Sequence, residues 1–355
     1  MQFLASLFAG IAALVGSWFS RPAPQAPVAV PAPQEAPAST STEAGAKTNA
    51  PGSAAPAAGA ASSTPAPAAD ALPAGSAWLS ALPLGDYQYS TSGPAAGKVY
   101  LCHIATGGGG AKGSASWISG EEWYPAEKVA VEGAASWPDA SYHMSISGST
   151  RTITSNGEPT DHATGIFPIR KSDPAYQFDA NPNTITPQSY DFSFPAYPSF
   201  ASSPQCIFGE VGIMNDGVPL FDGFDAEYRD ALAHETQDAW EGHPDESGVY
   251  HNHGFEAGPV KEPVSTVVGF AFDGFPITGS LLPSGAYLHT ADLDECHGLT
   301  STITLDGKEV TTYHYVLTQD FPYSVSCFRG ASHEPKPGGG QEGAQQRPGQ
   351  PPPPR

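Results

Sequence analysis

The chain has 355 residues, a net charge of −21, and 36 Asp and Glu against only 15 Lys and Arg. That balance excludes a nucleic-acid partner, because phosphate binding needs clustered cations and no basic patch exists. Only 14% of residues are charged, which equally excludes a solvated polyanion.

In chain order, the first element is an apolar run from Met1 to Phe19. It predicts a signal peptide or a membrane anchor over 1–20. No Lys or Arg precedes it and no clear A-x-A cleavage site follows, and as a spanning helix it is short. Either form places the rest of the chain in the extracellular space or cell envelope, and an uncleaved anchor makes the membrane a partner. Residues 21–75 are Ala, Pro, Ser, Thr and Gly with few large apolar side chains. They cannot bury enough surface to offset the entropy of ordering, so a disordered Pro/Ala-rich stalk is predicted. The tail over 334–355, rich in Gly, Gln and Pro, is predicted disordered for the same reason. One folded domain is left, over 76–333.

Within that domain strand patterns dominate. Runs at 98–104, 141–147 and 151–154 are rich in β-branched and aromatic residues. Three Asp-Gly pairs, Asp216-Gly217, Asp273-Gly274 and Asp306-Gly307, sit between strand-like runs and mark hairpin turns. Gly107 to Gly110 and the Pro-dense stretch from Phe178 to Pro204 read as long loops. One helix is predicted near 226–240, capped by Asp225 and stopped at Gly242 and Pro244. Asp230, His234 and Asp238 would then share a face, as a solvated row. The predicted fold is mainly β, a β-rich α+β single domain built on duplicated hairpin units.

The duplication is visible directly. Gly212-Ile-Met-Asn-Asp216-Gly217-Val-Pro219 is echoed 57 residues later by Gly269-Phe-Ala-Phe-Asp273-Gly274-Phe-Pro276. Each Asp is followed, after 34 and 40 residues, by a Tyr-His pair: Tyr250-His251-Asn252-His253, then Tyr313-His314-Tyr315. Residues two apart on a strand point the same way, so His251 and His253 would project together. Neutral imidazole suits Zn, Cu, Fe and Ni, and His314 is the expected third ligand, with Asp273 a fourth candidate. His243, His297 and Asp294 are further candidates. A transition metal, Zn or Cu, is the cofactor this predicts. Asp292, Asp294 and Glu295 lack the spacing of a calcium loop and read as an exposed acidic loop. Neither a G-x-S-x-G elbow nor a phosphate-cradling glycine motif is present. Cys102, Cys206, Cys296 and Cys327 are even in number, and in an exported chain they predict two disulfides, with three pairings open.

The runs Arg229-Asp-Ala-Leu-Ala-His234-Glu235, Gly248-Val-Tyr-His-Asn-His253, Val268-Gly-Phe-Ala-Phe-Asp-Gly-Phe-Pro-Ile277, Asp292-Leu-Asp-Glu-Cys-His-Gly298 and Asp320-Phe-Pro-Tyr-Ser-Val-Ser-Cys-Phe-Arg-Gly330 resemble the YHYH-domain family. These are exported proteins of unestablished activity, named for Tyr-His-Tyr-His. Trp117-Ile118, Trp137-Pro138 and Ser172-Asp-Pro-Ala-Tyr176 extend the resemblance over nearly the whole domain. Asn252 stands where the name motif has its second Tyr, and Val316 where the second copy would end in His. Related sequences often carry a Cys at the position of Trp240 and another shortly after the first Tyr-His motif. Both are absent here, which implies that they pair with each other. The remaining four are then expected as Cys296 with Cys327 and Cys102 with Cys206.

The resulting expectation is an exported, stalk-tethered ectodomain that binds a transition metal through its Tyr-His strands. A metal-assisted hydrolase or oxidase, with Asp273 or Glu256 as base, is the first alternative. A non-catalytic interaction or adhesion module, with an unnamed protein or glycan partner, is the second.

Overall fold

The structure, a computed structural model, describes residues 72–104, 111, 114–255 and 258–331. The predicted N-terminal segment, nearly all of the stalk, the tail, the Gly107–Gly110 loop and Glu256 lie outside the described residues. Among the described residues no helix is long and apolar enough to cross a membrane.

The domain is mainly β, and its centre is an eight-stranded sheet. In chain order the strands are β1 (Glu210–Met214), β2 (Pro219–Phe221), β3 (Gly242–Pro244), β4 (Tyr250–Asn252), β5 (Val267–Ala271), β6 (Pro276–Thr278), β7 (Gly298–Leu305) and β8 (Lys308–Val316). Across the sheet they run β3-β4-β2-β1-β5-β6-β8-β7. That order is a palindrome of two units. In each, a hairpin (β1–β2, β5–β6) is flanked by a parallel strand (β4, β8), whose antiparallel partner (β3, β7) closes the edge. The units meet where β1 and β5 pair antiparallel, with Ile213 opposite Phe270. Gly212 and Gly269 straddle that point. A Cβ at Gly212 would lie 2.7 Å from the Phe270 carbonyl oxygen, and one at Gly269 would lie 2.7 Å from that of Ile213. The two copies share this glycine because the two backbones approach too closely for any side chain.

The Asp-Gly turns form as their residues dictate. Asp216 Oδ1 accepts from the Val218 amide at 2.9 Å and Asp273 Oδ1 from the Phe275 amide at 3.2 Å. Asp306-Gly307 turns β7 into β8. A three-stranded sheet (Tyr142–Ser147, Thr150–Ser155, Tyr190–Pro195) covers one face of the centre, placing Phe192 against Phe272 and Phe194 against Phe270. Two of its strands follow the predicted runs. The third lies inside the stretch expected as a long loop, as does all but the last residue of a further strand, Phe200–Gln205. Alternation of Phe192 and Phe194 with Asp191 and Ser193 outweighs the nearby prolines, which fall at strand ends and in the connection.

The helix α1 is a single turn, Ala231–His234. The predicted N-terminal half is a turn instead. The Asp225 carboxylate accepts from the amides of Glu227 and Arg229 and from the Arg229 guanidinium, and Tyr228 sits at φ 60°. Asp230 is the residue that caps the helix. The predicted solvated row does not form, since Asp230 is buried under the Tyr323 hydroxyl, His234 bonds Asp86 and Asp238 receives the Tyr250 hydroxyl.

Both disulfides form as expected, Cys102–Cys206 and Cys296–Cys327, and no described cysteine is free. Asp294 is no exposed loop residue either, because its carboxylate accepts the Tyr313 hydroxyl at 3.0 Å.

Candidate functional site

The edge of the first unit gathers three histidines. On the paired strands β3 and β4, His243 lies opposite His251. His253, just past β4, lies on the same side as His251, and their Nε2 atoms are 3.1 Å apart. All three side chains are buried, and their nearest nitrogens lie within 4.8 Å of one another. Tyr250 and Asn252 point away, Tyr250 to the Asp238 carboxylate at 2.9 Å and Asn252 to the Trp240 carbonyl at 2.8 Å.

The hydrogen bonds determine the tautomers. His251 Nδ1 lies 3.0 Å from the Val249 carbonyl and His253 Nδ1 lies 2.5 Å from the Asp222 carbonyl. A carbonyl oxygen can only accept, so both Nδ1 atoms carry the proton. Both Nε2 atoms then present lone pairs, facing each other at 3.1 Å with no proton between them. Burial holds the His251 pKa down to about 4 and that of His253 to about 3, the latter also lowered by His251. Protonation therefore does not relieve the contact near neutral pH. Among the described residues, His243 has no hydrogen-bond partner at either ring nitrogen.

Glu235, two residues before Gln237 in the segment leaving α1, completes the group. Its Oε2 lies 3.4 Å from His243 Nε2 and 3.6 Å from His253 Nε2, and has no hydrogen-bond partner among the described residues. Burial, followed by the charges of Asp225 and Asp179, pushes its pKa well above the usual carboxylate range. Burial, then His251 and His253, pushes that of His243 well down. An ion pair at this distance would favour both charges, but each group is driven towards neutrality by desolvation. The four side chains line a cavity of about 770 Å³, together with Phe221, on which His251 stacks at 4.0 Å.

The arrangement suits a transition metal. A metal about 2 Å from each of two nitrogens 3.1 Å apart subtends roughly 100° at the ion, within the range of tetrahedral and octahedral sites. Metal-bound histidines characteristically donate their other ring N–H to a carbonyl or carboxylate, as His251 and His253 do here.

Of the residues singled out in the sequence, His251 and His253 converge, and His243, named only as a further candidate, joins them. His314 does not. It lies on β8, separated from β4 by four strands, where its Nδ1 bonds Thr278 Oγ1 at 2.9 Å and its Nε2 bonds Ser301 Oγ at 2.8 Å. The back-to-back meeting of the two units sends their Tyr-His strands to opposite halves of the sheet. Asp273 is also elsewhere, accepting from the Tyr315 hydroxyl at 2.6 Å and the Gly330 amide at 2.8 Å. His297 bonds the Thr318 hydroxyl at 2.9 Å. Glu235 had no signal in the sequence beyond its place after His234, since nothing local brings it to the histidines.

No curated protein and no solved structure matches the chain. The span 191–286 does match a family model, described as YHYH protein. It contains Glu235 and all three clustered histidines and ends before His314, so the site described above lies wholly inside the YHYH domain that this chain carries.

Proposed function

We propose that the domain binds a transition-metal ion through His243, His251 and His253, with coordination positions left open towards the cavity and Glu235 beside them. The observation that carries this reading is the pair of facing, unprotonated Nε2 atoms at 3.1 Å. Two lone pairs at that distance repel in a buried site, and a cation between them turns the repulsion into binding. A ligand set of three imidazoles that opens on a cavity has the form of a reactive metal site, whereas a structural site is closed by four protein ligands. The exported setting is part of the same proposal and is supported by the two disulfides, which persist in oxidising compartments.

The test is metal content by elemental analysis of the purified chain, before and after a chelator and after reloading with Zn²⁺ or Cu²⁺. About one ion per chain is expected. Replacing His243 or His253 by Ala should lower affinity by about ten-fold or more while circular dichroism stays unchanged. Replacing His314 by Gln should leave metal content as it was. Retention of the metal by the His243→Ala/His253→Ala double variant would refute the site.

A further inference from the structure

The cavity beside the histidines has a chemical character of its own. Six carboxylates line it, Asp179, Asp222, Asp225, Glu235, Asp245 and Glu246, and among the described residues neither a lysine nor an arginine does. Four of them are already engaged, Asp245 by the amides of Ser247 and Val249. Asp222 accepts from the amides of Gly209 and Phe224, Asp225 is paired with Arg229, and Asp179 accepts from the Thr236 amide. Glu235 is not, since among the described residues its buried Oε2 makes no hydrogen bond and has only the rings of His243 and His253 beside it, at 3.4 and 3.6 Å. Glu246 is exposed at the rim. Four aromatic side chains, Phe208, Phe221, Phe224 and Tyr228, form part of the remaining wall, beside residues such as Leu101, Asn181 and Asn183. Phe208 is 46% exposed and stacks on His103 at 4.1 Å, which puts an aromatic surface at the entrance.

We propose that this cavity binds a small organic cation, an aryl or alkyl amine, whose body lies on the aromatic wall and whose ammonium group faces Glu235. The volume suits a small organic molecule and far exceeds what a second bare ion would need. Aromatic faces attract an ammonium group. The same walls disfavour the anionic ligands that a metal centre would otherwise draw, because a carboxylate or phosphate would be placed beside the carboxylates of Asp179, Asp222, Asp245 and Glu246 in a partly desolvated site. The three neutral imidazoles add no cation, and a divalent ion would offset only part of the acidic wall. This inference names the ligand class of the cavity that holds the proposed metal site, and it rests on that reading for which wall is reactive, not for the sign of the ligand.

Three probes of one shape and different charge test it: benzylamine, benzyl alcohol and benzoate. Each is titrated calorimetrically at neutral pH into the full chain, metal-free and Zn²⁺-loaded, with metal content measured on the same samples. Benzylamine is expected to bind about ten-fold tighter than benzyl alcohol, a difference of about 1.4 kcal/mol, and benzoate not at all. Glu235→Gln should remove most of that preference. Glu246→Gln, at an exposed position where folding is not at stake, should weaken benzylamine by about three-fold and leave benzyl alcohol unchanged. Equal or tighter binding of benzoate or benzyl alcohol, or no binding by any probe, would overturn the proposal. A chain that takes up no metal but prefers benzylamine would sustain it and end the metal reading. A chain that holds metal and shows no preference would do the reverse.

Discussion

His251 and His314 occupy equivalent positions in two copies of one unit, and their surroundings give them different chemistry. Facing His314 are the hydroxyls of Thr278 and Ser301, one on each ring nitrogen. At the equivalent places around His251, Phe221 stands for Thr278, and two further histidines stand for Leu299 and Val316. The second copy is thus closed with apolar side chains, Leu299 packing on a small core that contains Val316 and Leu288. Burial lowers the His314 pKa to about 4, below the unfolded value of about 6.5. The unfolded chain therefore takes up the proton first, and stability is lost as pH falls from about 6.5 towards 4. By pH 5 the loss should be on the order of 2 kcal/mol. Asp216, Asp222 and Asp230, raised by burial to about 6, act in the opposite direction over the same range. The effect of His314 is therefore read as a difference. Between pH 7.5 and 5, urea denaturation should show the native chain losing about 2 kcal/mol relative to His314→Gln; parallel pH profiles would contradict the buried neutral imidazole.

At the scale of elements, the copies share a turn that the hairpin motifs do not reveal. Asp238 accepts from the Trp240 and Gly242 amides and from the Tyr250 hydroxyl. Asp294 accepts from the Cys296 and Gly298 amides and from the Tyr313 hydroxyl. Glu241 and His297, the residues before the two glycines, are both left-handed, at φ 60° and 72°. One Asp-x-x-x-Gly turn thus starts the edge strand and anchors the tyrosine of the Tyr-His strand, fixing which face the histidine takes. The glycine is required by that tyrosine, since a Cβ at Gly242 would come within 2.2 Å of the Tyr250 ring and one at Gly298 within 2.4 Å of the Tyr313 hydroxyl. Gly242→Ala and Gly298→Ala should each cost about 1–3 kcal/mol by overpacking, measured by denaturant unfolding. Gly242→Ala should also weaken metal binding, because it displaces the strand that carries His243. Gly298→Ala should not. Similar metal affinities for the two variants would separate the turn from the site.

On the scale of the molecule, two disulfides tie distant segments together. Cys102–Cys206 closes a separation of 104 residues and joins two segments of the cavity wall, next to Leu101 and near Phe208. Cys296–Cys327 closes 31 residues in the second unit. In the chain-entropy account the longer loop contributes about 5 kcal/mol and the shorter about 4. Paired Cys→Ser replacements should therefore both lower the melting temperature, the 102/206 pair slightly more. Thiol titration of the denatured, unreduced chain should find no free thiols; finding four would remove both bridges and the support they lend to an exported setting.

Much of this architecture was legible in the chain. Asp-Gly turns, the repeated Gly-x-x-x-Asp-Gly-x-Pro stretch and the Tyr-His pairs encode local geometry, and local geometry follows from backbone preferences and side-chain period. The His251/His253 pair belongs to that class, because two residues on one strand are neighbours whatever the rest of the molecule does. Even the Asp-x-x-x-Gly turn is written twice, at Asp238 and Asp294. The third ligand belongs to another class. His314 had the right motif, but the antiparallel meeting of β1 and β5 carries the two Tyr-His strands to opposite halves of the sheet. His243 and Glu235 take its place because β3 pairs beside β4 and the segment after α1 folds over that edge. The length of α1 was decided in the same way. Asp225 spends its carboxylate on a turn and on Arg229, contacts that helix propensity does not register. Sequence specified the units; which side chains meet depended on how strands far apart in the chain are paired.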